Sequence, residues 1–107
     1  MQWTVQIFSA VAVAEMEALP KDMRGRLARL IGVLQAFGFE ALPRDSVKHL
    51  KDKLWELRVA GRDGISGAIY VMASSRRVVI LRAFVKKTHK TPPRELEIAR
   101  QRAKEVQ

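Results

Sequence analysis

Three lysines and a histidine crowd the run Lys86-Lys87-Thr88-His89-Lys90, where the apolar stretch ending at Phe84-Val85 gives way to Thr91-Pro92. Ammonium groups at that density hold phosphate oxygens, and an imidazole titrating near neutrality can move a proton. RNA cleavage needs little else. The 2′-hydroxyl attacks its own phosphodiester if a group accepts its proton, cations stabilise the charge growing on phosphate, and a group protonates the departing 5′-oxygen. His89 is the candidate for proton transfer; the alternative is a solvent-exposed histidine that binds phosphate at most. Arg58 and Arg82 fall on predicted strands and could reach the same phosphate. Arg82 shares an apolar row with Val78, Ile80 and Phe84, so it needs either a partner, for which Glu56 is available, or an open cleft.

The charge distribution points the same way. The net charge is +9 over 107 residues. Residues 1–47 hold five Lys/Arg and five Asp/Glu, whereas residues 48–107 hold fifteen and six. A basic half joined to a neutral half suggests a face for a polyanion. There are no cysteines, which removes disulfides and thiolate chemistry and fits a reducing cytoplasm. No phosphate-binding glycine loop, dinucleotide fingerprint or metal-binding helix motif is present, and His49 and His89 lack a carboxylate cluster, so no metal and no cofactor is expected. The apolar Val11-Ala12-Val13-Ala14 has no Lys or Arg before it and is followed by Glu15 and Glu17, which argues against a secretion signal. No apolar run is long enough to span a bilayer.

The elements that must position these residues follow from periodicity. Residues 3–8 alternate as a strand, and Ser9 can cap a short helix over 10–19. Met23, Leu27, Leu30, Ile31, Leu34 and Phe37 recur at helical spacing up to Gly38. Lys21, Arg24, Arg26 and Arg29 lie mostly off that stripe and read as a solvated face. Residues 39–53 look irregular, ending in a basic stretch with Lys48, Lys51 and Lys53. Three strands are predicted over 54–60, 65–73 and 78–85, joined by short connections that favour antiparallel hairpins. Thr91 then reads as an N-cap with Pro92 at the first helical position, and Leu96, Ala99, Ala103 and Val106 make a narrow stripe on a final helix. One α+β domain over 1–107 is expected, β-α-α-β-β-β-α, with a small, mostly antiparallel twisted sheet and helices on one face.

The run Lys48-His49-Leu50-Lys51-Asp52-Lys53-Leu54-Trp55-Glu56-Leu57-Arg58, the strand from Gly64 to Tyr70, and the stretch from Val78 to Pro92 together resemble RelE-like toxins, specifically the phage-derived, HigB-like branch. The resemblance covers roughly residues 48–107; the earlier part matches only in pattern. It implies the RelE-like fold, cleavage of translated mRNA in the ribosomal A site, a cytoplasmic location, and as partners the ribosome, its mRNA and an antitoxin, often one with a helix-turn-helix DNA-binding domain. Two positions depart from the family pattern. Gly67 stands where the family usually has an arginine expected to hold the scissile phosphate, and His89 stands where glutamine is common. The first departure implies weakened activity, and on that view Gly67→Arg would restore it. The other reading of Gly67 is a bulge or close-packing glycine.

Arg58, Arg82, Lys86, Lys87 and His89 are therefore the expected catalytic set, around one basic concave surface opposite the helices. Lys48, Lys51, Lys53 and Lys90 are the expected RNA contacts. An acidic antitoxin segment is expected to cover this face or displace the final helix. Two other functions fit the sequence: a ParE-like, non-nuclease inhibitor of DNA gyrase, and a nucleic-acid-binding module.

Overall fold

Strands form where β-branched and apolar residues alternate, and the computed structural model, which describes residues 2–106, has five of them. The order along the chain is β1 (Thr4–Ile7), α1 (Ala10–Glu17), α2 (Lys21–Phe37), β2 (Val47–Lys51), β3 (Leu54–Gly61), β4 (Gly64–Ala73), β5 (Arg77–Lys86) and α3 (Pro93–Ala103). The sheet runs β1-β5-β4-β3-β2, with β1 parallel to β5 and every other pair antiparallel. This is the expected α+β class. β2 arises within residues that sequence periodicity leaves irregular, between two short 3-10 turns and the β3 hairpin. It is an edge strand carrying Lys48, His49 and Lys51 exposed, and charge on an edge discourages pairing with another chain.

Caps set the helix ends. Ala12 N donates to Ser9 Oγ at 3.2 Å, which starts α1 as predicted. Gly38 stops α2 with φ of 85°, a value glycine adopts freely, and its amide donates to Leu34 O. At α3 the cap shifts by one: Pro92 is the N-cap and Pro93 the first helical residue, because Thr91 turns its hydroxyl inward.

Side-chain alternation sorts two apolar clusters onto opposite faces of the sheet. Met23, Leu27 and Leu34 of α2 pack on Leu57, Val59, Ala68, Tyr70, Val78 and Ile80. Ala99 of α3, with Leu96, Ala103 and Val106, packs on Leu54, Ile69, Val71, Val79, Leu81 and Phe84. The sheet is thus covered by α2 on one side and α3 on the other, where the sequence pattern places the helices together. A bulge explains how β5 serves both. Ile69 pairs with Arg82 but Tyr70 pairs with Ile80, so Leu81 is an extra residue and parity reverses across it. Val78 and Ile80 face α2, whereas Arg82, Phe84 and Lys86 face α3; Arg82 is not in the row of Val78 and Ile80.

The narrow apolar stripe of α3 is supplemented by ion pairs. Arg82 donates to Glu15 and to Glu95, each at 2.6 Å, and Arg102 donates to both Glu15 oxygens at 2.8 Å and to Leu81 O at 2.7 Å. This half-buried network ties α1, β5 and α3 together. It also corrects two expectations for Arg82: its partners are Glu15 and Glu95, not Glu56, and its guanidinium is not open to a phosphate. Burial pushes the Glu15 carboxyl up, but hydrogen bonds from Arg102 and Arg82 and their charges outweigh it, leaving its pKa below the ordinary 4.5.

A carboxylate with a depressed folded pKa stabilises the fold above its unfolded pKa, and that contribution is lost as pH falls through the folded value. Urea unfolding of the protein and of Glu15→Gln should therefore differ most at neutral pH, and the gap should close below about pH 4.5. A gap independent of pH would show that the network contributes through shape alone.

Candidate functional site

The face that carries α3 also carries a buried carboxylate. Glu56 lies on the central part of β3, fully buried, across from Ile69 on β4 and Lys48 on β2. A carboxylate out of water must be paired and hydrogen-bonded. Lys86 Nζ donates to both its oxygens at 2.8 and 3.1 Å. Thr91 Oγ1 donates to Oε2 at 2.9 Å, and Arg58 donates to Oε1 through Nε at 3.2 Å and Nη2 at 3.0 Å. Three segments distant in sequence, β3, the end of β5 and the loop before α3, meet at this one side chain.

The same cations hold His89. Its carbonyl accepts from Lys86 Nζ at 2.9 Å and from Arg58 Nη2 at 3.1 Å. Its ring meets Arg58 Nη1 through Nδ1 at 3.3 Å. A guanidinium only donates, so Nδ1 is the acceptor and Nε2 carries the proton of the neutral ring. Arg58 therefore spends four hydrogen bonds on Glu56 and His89, leaving one of a guanidinium's five N–H groups free. Arg58 and His89 line a cleft of about 360 Å³ with Arg26, Ser46, Val59 and Ile65.

The expected catalytic residues divide accordingly. Arg58, Lys86 and His89 come together, and Arg58 and Lys86 share one face of the sheet through Glu56. Lys86 is only 4% exposed and its ammonium is taken by Glu56, Thr91 and His89, so it supports the site from beneath and presents no face to a substrate. Burial pushes its pKa down, against the hydrogen bond and charge of Glu56, while Arg58 and Lys48 push the same way as burial. Lys87 and Lys90 are exposed beside His89 in the chain. Arg82 is withdrawn into the α1–α3 network described above. Arg58 and Lys86 lie on the sheet face that carries α3, but the cleft lined by Arg58 and His89 is walled by Arg26 and Leu30 of α2, so the concave surface is not opposite the helices as expected. Among the expected RNA contacts, Lys48 is exposed across from Glu56, and Lys51 and Lys53 are exposed at the β2–β3 turn. The sequence offered Glu56 only as a partner for Arg82 and Thr91 only as an N-cap, and neither as part of this site. The signal was the parity of β3: Glu56 shares its face with buried Leu54, and a glutamate on a central strand needs cations around it.

Gly67 lies in this same cluster, paired with Arg58 on one side and Phe84 on the other. The position is not a gap. A Cβ there would lie 2.6 Å from Glu56 Oε2 and 2.8 Å from two carbons of the Phe84 ring. The carboxylate is anchored by five hydrogen bonds and cannot easily retreat. Gly67 is therefore a close-packing residue that lets Glu56 and Phe84 lie against the strand.

Two substitutions test this arrangement. Glu56→Ala leaves the Lys86 ammonium buried without its partner and should cost about 3–5 kcal/mol in denaturant unfolding. Gly67→Ala should cost about 1–3 kcal/mol through overpacking. Gly67→Arg should destabilise further, reversing the gain expected from sequence. An unchanged midpoint for Gly67→Arg would show that Phe84 and Glu56 yield freely.

The fold recurs among solved structures. The chain aligns with a double arginine-to-alanine mutant of E. coli toxin RelE in the free state at a TM-score of 0.58 and 12% identity, covering 100% of both chains. It aligns with a chain of the archaeal RelE-RelB complex from Pyrococcus horikoshii OT3 at a TM-score of 0.52 and 21% identity, covering 79% of this chain and 96% of that one. At such identities the likeness is one of fold. No curated protein sequence matches. Residues 14–104 match the family described as phage derived protein Gp49-like, which is most of the chain. With the RelE fold built around it, the chain belongs to the phage-derived Gp49-like family.

Proposed function

We propose that this protein is the toxin of a toxin–antitoxin pair, of the HigB-like kind, and that it cleaves translated mRNA in the ribosomal A site without a metal or cofactor. The observation that carries the reading is the Arg58–His89 pair, fixed on buried Glu56 and set at a cleft. Cationic donors beside a phosphate accelerate cleavage by stabilising the charge that develops on it. Arg58 meets the scissile phosphate with its free N–H. Lys87 and Lys90, on an exposed loop, and Lys48, Lys51 and Lys53, on the β2 edge, draw in the message and the ribosomal RNA around it. Neutral His89 offers an Nε2–H to an oxygen of the substrate. To act as a full acid toward the departing 5′-oxygen it takes a second proton from solvent on Nδ1, where Arg58 now donates, and the 2′-hydroxyl proton leaves to solvent water. Turning Arg58 toward the phosphate frees that nitrogen, so substrate binding and readiness of the acid are linked. The setting is the cytoplasm, where translation occurs. The partner that restrains the toxin is an antitoxin with an acidic segment and a helix-turn-helix domain.

One observation favours the gyrase-inhibitor reading instead. Lys86 and Arg82 are engaged in ion pairs, which leaves fewer groups for phosphate chemistry than the residue types suggest. In vitro translation with primer extension on the message separates the two. The protein should give cuts at codon spacing. His89→Ala should lower them about 10²-fold, and Arg58→Lys, which keeps a charge for Glu56 but loses the fork to His89, should do likewise. Undiminished cutting by His89→Ala would remove the histidine from the mechanism. Inhibited supercoiling with no cuts would establish the gyrase reading.

A further inference from the structure

A second cleft is larger than the one beside His89. It measures about 830 Å³ and lies between the start of α2 and the β3–β4 turn, lined by Lys21, Asp22, Arg26, Arg29, Arg62 and Asp63 among others. Arg26 lines both clefts, so the two lie side by side.

The walls of this groove are built. Gly61 approaches α2 so closely that a Cβ would meet Met23 Cγ at 2.5 Å. Asp22 Oδ2 accepts from Arg62 N at 2.9 Å, and Arg26 donates to Ala60 O. These contacts dock the turn on the helix. The bond to the main-chain N–H lowers the Asp22 pKa and so keeps this carboxylate ionised, but among the described residues it forms no ion pair within 4.0 Å with the Arg62 side chain. Among the described residues, Lys21, Arg29 and the Arg62 guanidinium form no ion pair within 4.0 Å. Four cations thus face two carboxylates, which leaves the groove a net charge of +2.

We infer that this groove is a second RNA-binding site, which tracks the phosphate backbone of a single strand whose scissile phosphate lies at Arg58 and His89. The inference rests on the RNA-cleaving reading above and extends its contact surface to α2, whose basic residues read from sequence as a solvated face. Guanidinium forks suit phosphates. No aromatic or branched aliphatic side chain lines the groove to anchor a peptide, so RNA is favoured over an acidic protein segment.

The test is the salt dependence of binding to a 2′-O-methyl RNA of about 15 nucleotides, which reads affinity without cleavage. Arg29→Ala/Arg62→Ala removes two exposed side chains and keeps the Arg62 backbone bond. It should reduce the slope of log affinity against log salt by about 1.4, two single-strand phosphates at about 0.7 each. Arg76→Asn/Lys104→Ala removes the same charge by the β4–β5 turn and at the end of α3, and should change the slope far less. Equal effects of the two pairs, or wild-type binding by the groove pair, would overturn the inference. So would loss of polyglutamate binding with RNA binding intact. The cleavage assay of His89→Ala is independent of this measurement. If it still cuts, the catalytic reading fails while the slopes still judge the groove; if it does not cut and the groove pair binds normally, only the groove is lost.

Discussion

Glu56 sits out of water at the middle of the sheet, and four donor groups from three segments converge on it. Satisfying a buried carboxylate is demanding, because its desolvation is recovered only when the geometry is good and every lone pair is met. Here that demand fixes other parts of the molecule. Lys86 must point inward at the end of β5. Thr91 must turn its hydroxyl into the protein, which moves the cap of α3 to Pro92. The loop between them must bring the His89 carbonyl onto Lys86 and Arg58. The exposed imidazole is thus held by a buried charge, and a loop with no regular structure acquires a defined shape.

The same constraint accounts for Gly67. A side chain at that position would overlap the Glu56 carboxylate and the Phe84 ring. The family pattern that places an arginine there describes a site whose phosphate contact comes from β4. In this chain β4 contributes bare backbone at that position; of the cations beside it, Arg58 lines the cleft and Lys86 is buried beneath it. The Glu56 carboxylate and the Phe84 ring occupy the space that a side chain at Gly67 would need.

Periodicity made most of the fold legible. The amphipathic pattern from Met23 to Leu34 gave α2 and its buried face, and alternation gave β3, β4 and the two hairpins. β2 was hidden because its two apolar residues, Val47 and Leu50, sit among lysines and a histidine, as an edge strand permits. The face of Arg82 was illegible for a different reason. One extra residue at Leu81 reverses parity, and a bulge leaves no mark in a run as uniformly apolar as Val78 to Leu81. At the site, residue types located Arg58, Lys86 and His89, but not which of them is buried. That depended on Glu56, which sequence reasoning considered only as a partner for Arg82. Its partners are set by cross-strand register, a relation between segments that spacing along one segment does not contain.

The allocation of carboxylates also shapes the electrostatic surface. Glu15, Glu56 and Glu95 are spent inside the structure, on Arg82, Arg102, Lys86 and Arg58. Charges neutralised in partly buried pairs contribute little field at a distance, whereas exposed lysines and arginines without partners contribute fully until salt screens them. The +9 is therefore concentrated in what remains outside, including the β2 edge, the loop of Lys87 and Lys90, and the groove of Arg29 and Arg62. Three carboxylates set against four cations leave +8 of the +9 outside these pairs, and a surface of that sign favours acidic partners, nucleic acid or protein alike.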